Sequence, residues 1–208
     1  MKLICVILSM ILLLGTISGC VRAPQETTGS QPTISTPGAT TQPGDAQPDS
    51  GEASDSVGIL ETVWELFGDD ERFASYGGSV NHAVDNAPGK LSAQDADELV
   101  SKYLIPQDKI ANIAEGASLV HMMNSNIFTA AVFSLSNGGD AEAVAKAWRD
   151  AIHQNRWICG QPEKLLMYRI GDSILMAFGN GDAMTQFEAK TGEAFPDGQK
   201  LYSEAIVG

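Results

Sequence analysis

Two apolar runs, LLMYRI at residues 165–170 and SILMAF at residues 173–178, are separated only by Gly171-Asp172. A two-residue loop opened by glycine closes a tight antiparallel hairpin, because glycine reaches the positive φ that such turns need. The loop pairs Ile170 with Ser173, Tyr168 with Leu175 and Leu166 with Ala177. The opposite face then carries Leu165, Met167, Ile174, Met176 and Phe178, interrupted by Arg169. A sheet with one wet face alternates apolar and polar residues. This hairpin is apolar on both sides, so both sides must be covered.

The neighbouring sequence supplies the cover. Residues 117–123 (ASLVHMM) and 126–136 (NIFTAAVFSLS) read as two strands, and NGGD then opens a helix capped by Asp140. That helix, residues 140–158, places Ala141, Val144, Ala145, Trp148, Ala151 and Ile152 on one stripe. A last helix over 182–194 starts at GNGD, with Asp182 as its cap and Met184 and Phe187 turned inward. Two earlier helices are expected over 59–67 and 92–104. The second has Ser92 as its cap and Pro106 as its stop. Between them SYGGSVNHAVDNAPGK is turn-rich and irregular. The sum is an α+β domain: an antiparallel sheet of about four strands, from two strand-strand-helix units, preceded by two helices. The helices at 140–158 and 182–194 are expected on one face, and the first two over part of the other.

The start of the chain reads differently. Lys2 precedes an apolar run from Leu3 to Leu14, which is shorter than the roughly 20 residues of a comfortable membrane span. Small residues then lead to Cys20, a pattern that looks like a bacterial lipobox. It implies a signal peptide over 1–19 and a lipidated Cys20 as the first mature residue. Each buried methylene of an attached chain contributes about 0.8 kcal/mol, so the lipid alone would hold the protein on the outer face of the cytoplasmic membrane. Residues 20–56 are rich in Ser, Thr, Pro and Gly and almost free of large apolar residues. They are expected to be a disordered linker spanning on the order of 30 Å. The single globular domain is expected over 57–208.

The chain carries 26 acidic and 13 basic residues, a net charge of −13. Removing residues 1–19 takes away Lys2 and no acid, leaving about −14. Lys and Arg form no dense cluster, which excludes nucleic acid as a partner. Cys5 leaves with the signal and Cys20 takes the lipid, so Cys159 has no disulfide partner. It is expected to be a small buried residue at the end of the 140–158 helix, with a reactive thiol as the other reading.

The segments AEGASLVHMMNSNIFTAAVFSLSNGGDAEAVAKAWRDAIHQNRW and LLMYRIGDSILMAFG resemble a domain of unknown function found in small Gram-positive bacterial lipoproteins. Some of these proteins are labelled bacteriocin transport accessory proteins. The resemblance covers core and turn positions in under half of the chain. It implies the fold and the address and carries no catalytic residue.

Motifs for chemistry are sparse. His82, His121 and His153 stand at no metal spacing, and there is no nucleophile elbow, phosphate loop or Ser-x-x-Lys. No catalytic residue, metal ligand or cofactor is therefore assigned. GNGD could hold an anion at a helix N-terminus, although a capped turn explains it more simply. The cluster His121, Met122 and Met123, with Met167 and Met176 paired in the hairpin, has the donor chemistry of a copper(I) site; ordinary core methionine is the plainer reading. The pattern points to a membrane-anchored, non-catalytic binding or accessory module. Its partner would be an extracellular protein, a peptide or a wall component. The alternatives are a small extracellular hydrolase and a soft-metal carrier. The candidate ligand rim is Tyr168, Arg169 or His121, depending on which sheet face is which, beside any groove between the sheet and the first two helices. The other reading seals that groove and binds through loops such as 77–90.

Overall fold

The computed structural model describes residues 55–136 and 139–207, all of them in one folded unit. The signal-like segment, Cys20 and nearly all of the linker lie outside the described residues. The helices are α1 (Ser56–Glu65), α2 (Ala96–Tyr103), α3 (Ala141–Gln154) and α4 (Gly181–Ala194). The strands are β1 (Ser75–Gly77), β2 (Val84–Asp85), β3 (Gly89–Leu91), β4 (Ile113–His121), β5 (Phe128–Leu135), β6 (Lys164–Ile170), β7 (Ser173–Gly179) and β8 (Gln199–Ala205). No helix among them is long and apolar enough to cross a membrane.

The class is α+β with an antiparallel sheet, but the sheet has eight strands, not about four. The four expected strands form its centre, in the order β4-β5-β7-β6. The hairpin register is the one the two-residue loop dictates: Ile170 faces Ser173, Tyr168 faces Leu175 and Leu166 faces Ala177. Gly171 takes φ 57° in that loop. The extra strands lie at the two ends. β8 pairs with β6, while β1 and β3 both pair with β4, and β2 extends β1. The 75–90 stretch, expected to be irregular, thus supplies β1, β2 and the start of β3 at the sheet edge, with turns and a 3-10 turn over Val80–His82 between them. Its backbones approach too closely for side chains: a Cβ on Gly77 would stand 2.3 Å from the Gly89 nitrogen.

Both sheet faces are covered, by a different pairing of helices from the expected one. Leu99 and Tyr103 of α2 and Val144, Trp148 and Ile152 of α3 pack on Phe133, Met167, Ile174 and Met176. Ile59, Leu60 and Val63 of α1 and Met184 and Phe187 of α4 pack on Leu119, Phe128, Val132 and Leu175. So α3 and α4 lie on opposite faces, each beside one early helix. The reason is topological. β5 and β6 are parallel with β7 between them, and β7 and β8 are parallel with β6 between them. Both connections step two places toward the same edge, from strands that point in opposite directions. Crossovers of one hand must then fall on opposite faces.

Helix starts follow local chemistry. Asp140 Oδ1 accepts the Ala143 N–H at 3.1 Å, as expected. α2 is capped by Asp95, which accepts the Glu98 N–H at 3.0 Å, and not by Ser92. α4 begins one residue before Asp182. Its Gly181 N–H donates to Glu163 Oε2 at 3.1 Å, so an internal carboxylate already serves the N-terminus read as an anion site. Leu104, in the left-handed region at φ 58°, ends α2 before Pro106 is reached.

Candidate functional site

The three expected rim residues do not meet. Register aligns His121 with Phe128, Gly179 and Lys164 across the sheet. Tyr168 lies three strands and four residues away from it. At about 4.8 Å per strand and 3.3 Å per residue, the separation is roughly 20 Å. His121 stacks on Phe73 at 5.3 Å, and its Nδ1 accepts the Met123 N–H at 3.2 Å. Tyr168 is buried under the Lys200 ammonium, 5.6 Å from the ring centre. Arg169, on the other face, donates to the Gly171 carbonyl at 3.1 Å. The soft-sulfur set is divided too. Met167 and Met176 face each other, fully buried, whereas Met122 and Met123 are exposed at the β4–β5 turn. Met176 lies two strands and three residues from His121, roughly 14 Å by the same spacings.

A cavity of about 380 Å³ opens instead at the β4–β5 turn end, on the face covered by α2 and α3. One wall is the end of α2, from Ser101 to Leu104. The floor is Val120, Thr129 and Phe178, and the far wall is the segment 155–158 after α3. Tyr103 fixes the first wall. Its hydroxyl donates to Ser118 Oγ at 2.9 Å, and its carbonyl accepts the Trp148 indole N–H at 2.7 Å. Burial pushes the Tyr103 phenol well up, so it stays neutral at any physiological pH.

Two asparagines hold the far wall. Asn126 Nδ2 donates to the carbonyls of Ile158 and Gly160, both at 2.7 Å, and Asn124 Nδ2 donates to that of Cys159 at 3.3 Å. Cys159 and Gly160 both have positive φ, which bends the loop back toward the turn. Cys159 is therefore an exposed loop residue and not the buried helix-end residue the sequence suggested, because α3 stops at Gln154. The Trp157 ring packs edge-on against Phe178 at 5.0 Å. Its indole N–H is buried and has no hydrogen-bond partner among the described residues. The other two indoles are satisfied, Trp64 by the Asn86 carbonyl and Trp148 by Tyr103. An unpaired buried donor costs about 1–3 kcal/mol.

The lining includes Lys102 and Arg156 and no carboxylate. Lys102 is bonded to Glu98 at 3.1 Å; Arg156 has no ion-pair partner among the described residues. The cavity thus offers donors and positive charge on a chain whose net charge is −13. It offers no nucleophile activated by a base: the Thr129 hydroxyl donates to the Ser125 carbonyl, and His121 points to the opposite face. A second concavity of about 530 Å³ is lined by His82, Lys90 and Glu115 at the β3 edge. Among the described residues no three His, Cys, Asp or Glu side chains are grouped to hold a metal.

The sequence held one signal for this site. Trp157 follows the helical stripe of α3 without belonging to it, in a segment that runs into Cys-Gly-Gln-Pro. A tryptophan off the core stripe and in a loop marks a surface where a large ring is put to use. Arg156 and Asn126 carry no comparable mark. Comparison with family models, with curated proteins and with solved structures gives no match.

Proposed function

We propose that the protein is a binding module tethered by a lipid on Cys20 to the outer face of the bacterial cytoplasmic membrane, and that it acts without catalysis. The lipobox-like segment and the linker composition support the address, in keeping with the small Gram-positive lipoproteins the chain resembles. The observation that carries the binding role is the cavity between α2 and the 155–158 segment, with the Trp157 ring in its lining and an Arg156 guanidinium that has no ion-pair partner among the described residues. Its lining sets Leu104, Val120 and Phe178 beside Ser101, Asn155 and Arg156, and a ligand site needs both apolar surface and fixed polar groups.

The test is a thermal-shift screen of the full chain in detergent against wall fragments, peptides and metal ions, with each compound recovered and checked for conversion. A ligand at a hundred times its Kd adds about 2.7 kcal/mol, or several degrees in Tm for a domain of this size. Stabilisation without conversion is expected. Conversion of any compound would replace this reading with that of an extracellular hydrolase, and stabilisation by copper(I) alone with that of a carrier. The address has its own check: radiolabelled fatty acid should enter the wild type and not Cys20→Ala, and the variant should leave the membrane fraction.

A further inference from the structure

We infer that the cavity takes the carboxylate side chain of an acidic peptide, whose apolar neighbours lie on the exposed rim beside it. This rests on the binding-module reading and names the ligand class of the same site. Three observations converge. The first is charge. Cations are half as many as acids in this chain, yet two of them line one cavity that contains no acid. Glu98 already occupies Lys102, which leaves the Arg156 guanidinium, a planar fork that matches a carboxylate. The second is the polar lining beside the guanidinium: Ser101, Ser125 and Asn155 stand among the cavity's residues with Arg156, and their side chains can donate to a carboxylate.

The third is the rim. Ile158 lines the cavity and is 77% exposed; Met122, Met123 and Ile127 are 47%, 82% and 36% exposed on the adjoining turn. The Asn126 bonds to Ile158 and Gly160 bind that turn and that loop into one surface. A free small anion would occupy only part of the cavity and leave this surface wet. An extended peptide spans both, with one side chain in the cavity and its neighbours on the methionines, whose unbranched side chains adapt to varied partners.

The test uses the full chain in detergent with its tryptophans labelled at the indole nitrogen. Three indole signals are expected from three tryptophans, and Trp157→Phe identifies the one of interest. The probes are an acetylated, amidated Leu-Glu-Phe tripeptide, its Leu-Gln-Phe twin, and acetate. The Glu peptide should move the Trp157 signal saturably, because the ring lines the cavity, and at least about tenfold more tightly than the Gln twin. Arg156→Gln should remove most of that preference, and Arg156→Lys should restore part of it, while all three indole signals report that the fold is kept. Equal response to both peptides overturns the acidic preference, and equal response to acetate overturns the peptide. If neither peptide moves Trp157 while the thermal-shift screen finds another ligand, this inference falls and the binding-module reading stands. If the screen is also blank, both fall.

Discussion

Glu188 sits in the middle of α4 and accepts hydrogen bonds from Lys164 on β6 and Lys200 on β8. It therefore ties the last crossover to the two strands at that end of the sheet. Burial by itself would raise its pKa, but the hydrogen bonds from Lys164, Lys200 and Ser203 outweigh that and hold the carboxyl at about 2, against an ordinary 4.5. A depressed carboxylate stabilises the fold above its unfolded pKa, and that contribution is lost as pH falls toward the folded one. At about 1.36 kcal/mol per pH unit the gap corresponds to roughly 3 kcal/mol. Lys200 is 47% exposed, and solvent screening there lowers the expectation to about 1–2 kcal/mol. Urea unfolding of the wild type and Glu188→Gln measures it. The wild type should be more stable by about that amount near pH 7, and the difference should shrink to less than half near pH 2.5. Comparing the two proteins at each pH cancels the titration of every other carboxylate. A difference that stays constant with pH, or is absent near pH 7, would refute the argument.

Gly116 tests how the sheet is packed. A Cβ there would stand 2.5 Å from the Phe133 ring, itself wedged against Tyr103 and Trp148, so Gly116→Val should cost about 1–3 kcal/mol with an unchanged urea slope. Cys159→Ser, at an exposed loop position, should change stability by less than about 0.5 kcal/mol. In the native protein a maleimide should label Cys159, as mapped by mass on its peptide, and labelling only after denaturation would show that the loop is packed differently.

The legible part of this fold was its centre. The Gly171-Asp172 loop fixed its register, and Leu165 to Ile170 against Ser173 to Phe178 required cover on both faces. β8 was not legible because it is an edge strand. Residues such as Gln199, Lys200 and Glu204 keep it half in water, and that charged pattern guards an edge while hiding the strand. One omission produced another error. Without β8, α4 is a terminal helix free to lie on either face; with β8, it is a crossover whose hand assigns it the face opposite α3. β1 to β3 are two or three residues long and exist through the close approach of Gly77 and Gly89, which no local propensity announces. His121, Tyr168 and Arg169 were read from one hairpin and one turn, and only the strand order shows that these stand at opposite ends of the sheet. The observed cavity draws on α2, β4, β5, β7 and the segment after α3, which only the tertiary fold brings together.

The cavity lies far from the point where the chain enters the domain. The chain enters the domain at Asp55 and Ser56, where the Ser56 hydroxyl bonds Ser134 and its N–H donates to Glu115, both at 2.9 Å. Ser134 lies at the end of β5, five residues from Thr129 in the cavity floor, or roughly 17 Å along the strand. Entry point and cavity thus occupy opposite ends of the sheet. The residues between them belong to the fully buried centre of the domain: Ala130, Ala131 and Val132 are enclosed by helices on both faces. A close-packed centre of this kind keeps the two ends at a fixed separation. The end that carries Arg156, Trp157 and the exposed methionines is thus the one away from the chain's entry into the domain, and it groups several exposed apolar side chains beside the cavity. The same cover explains why α1 and α2 are integral to the domain. Each closes half of a face that α3 or α4 alone leaves open, and α2 supplies the wall from Ser101 to Leu104 without which the cavity would be a flat edge of the sheet.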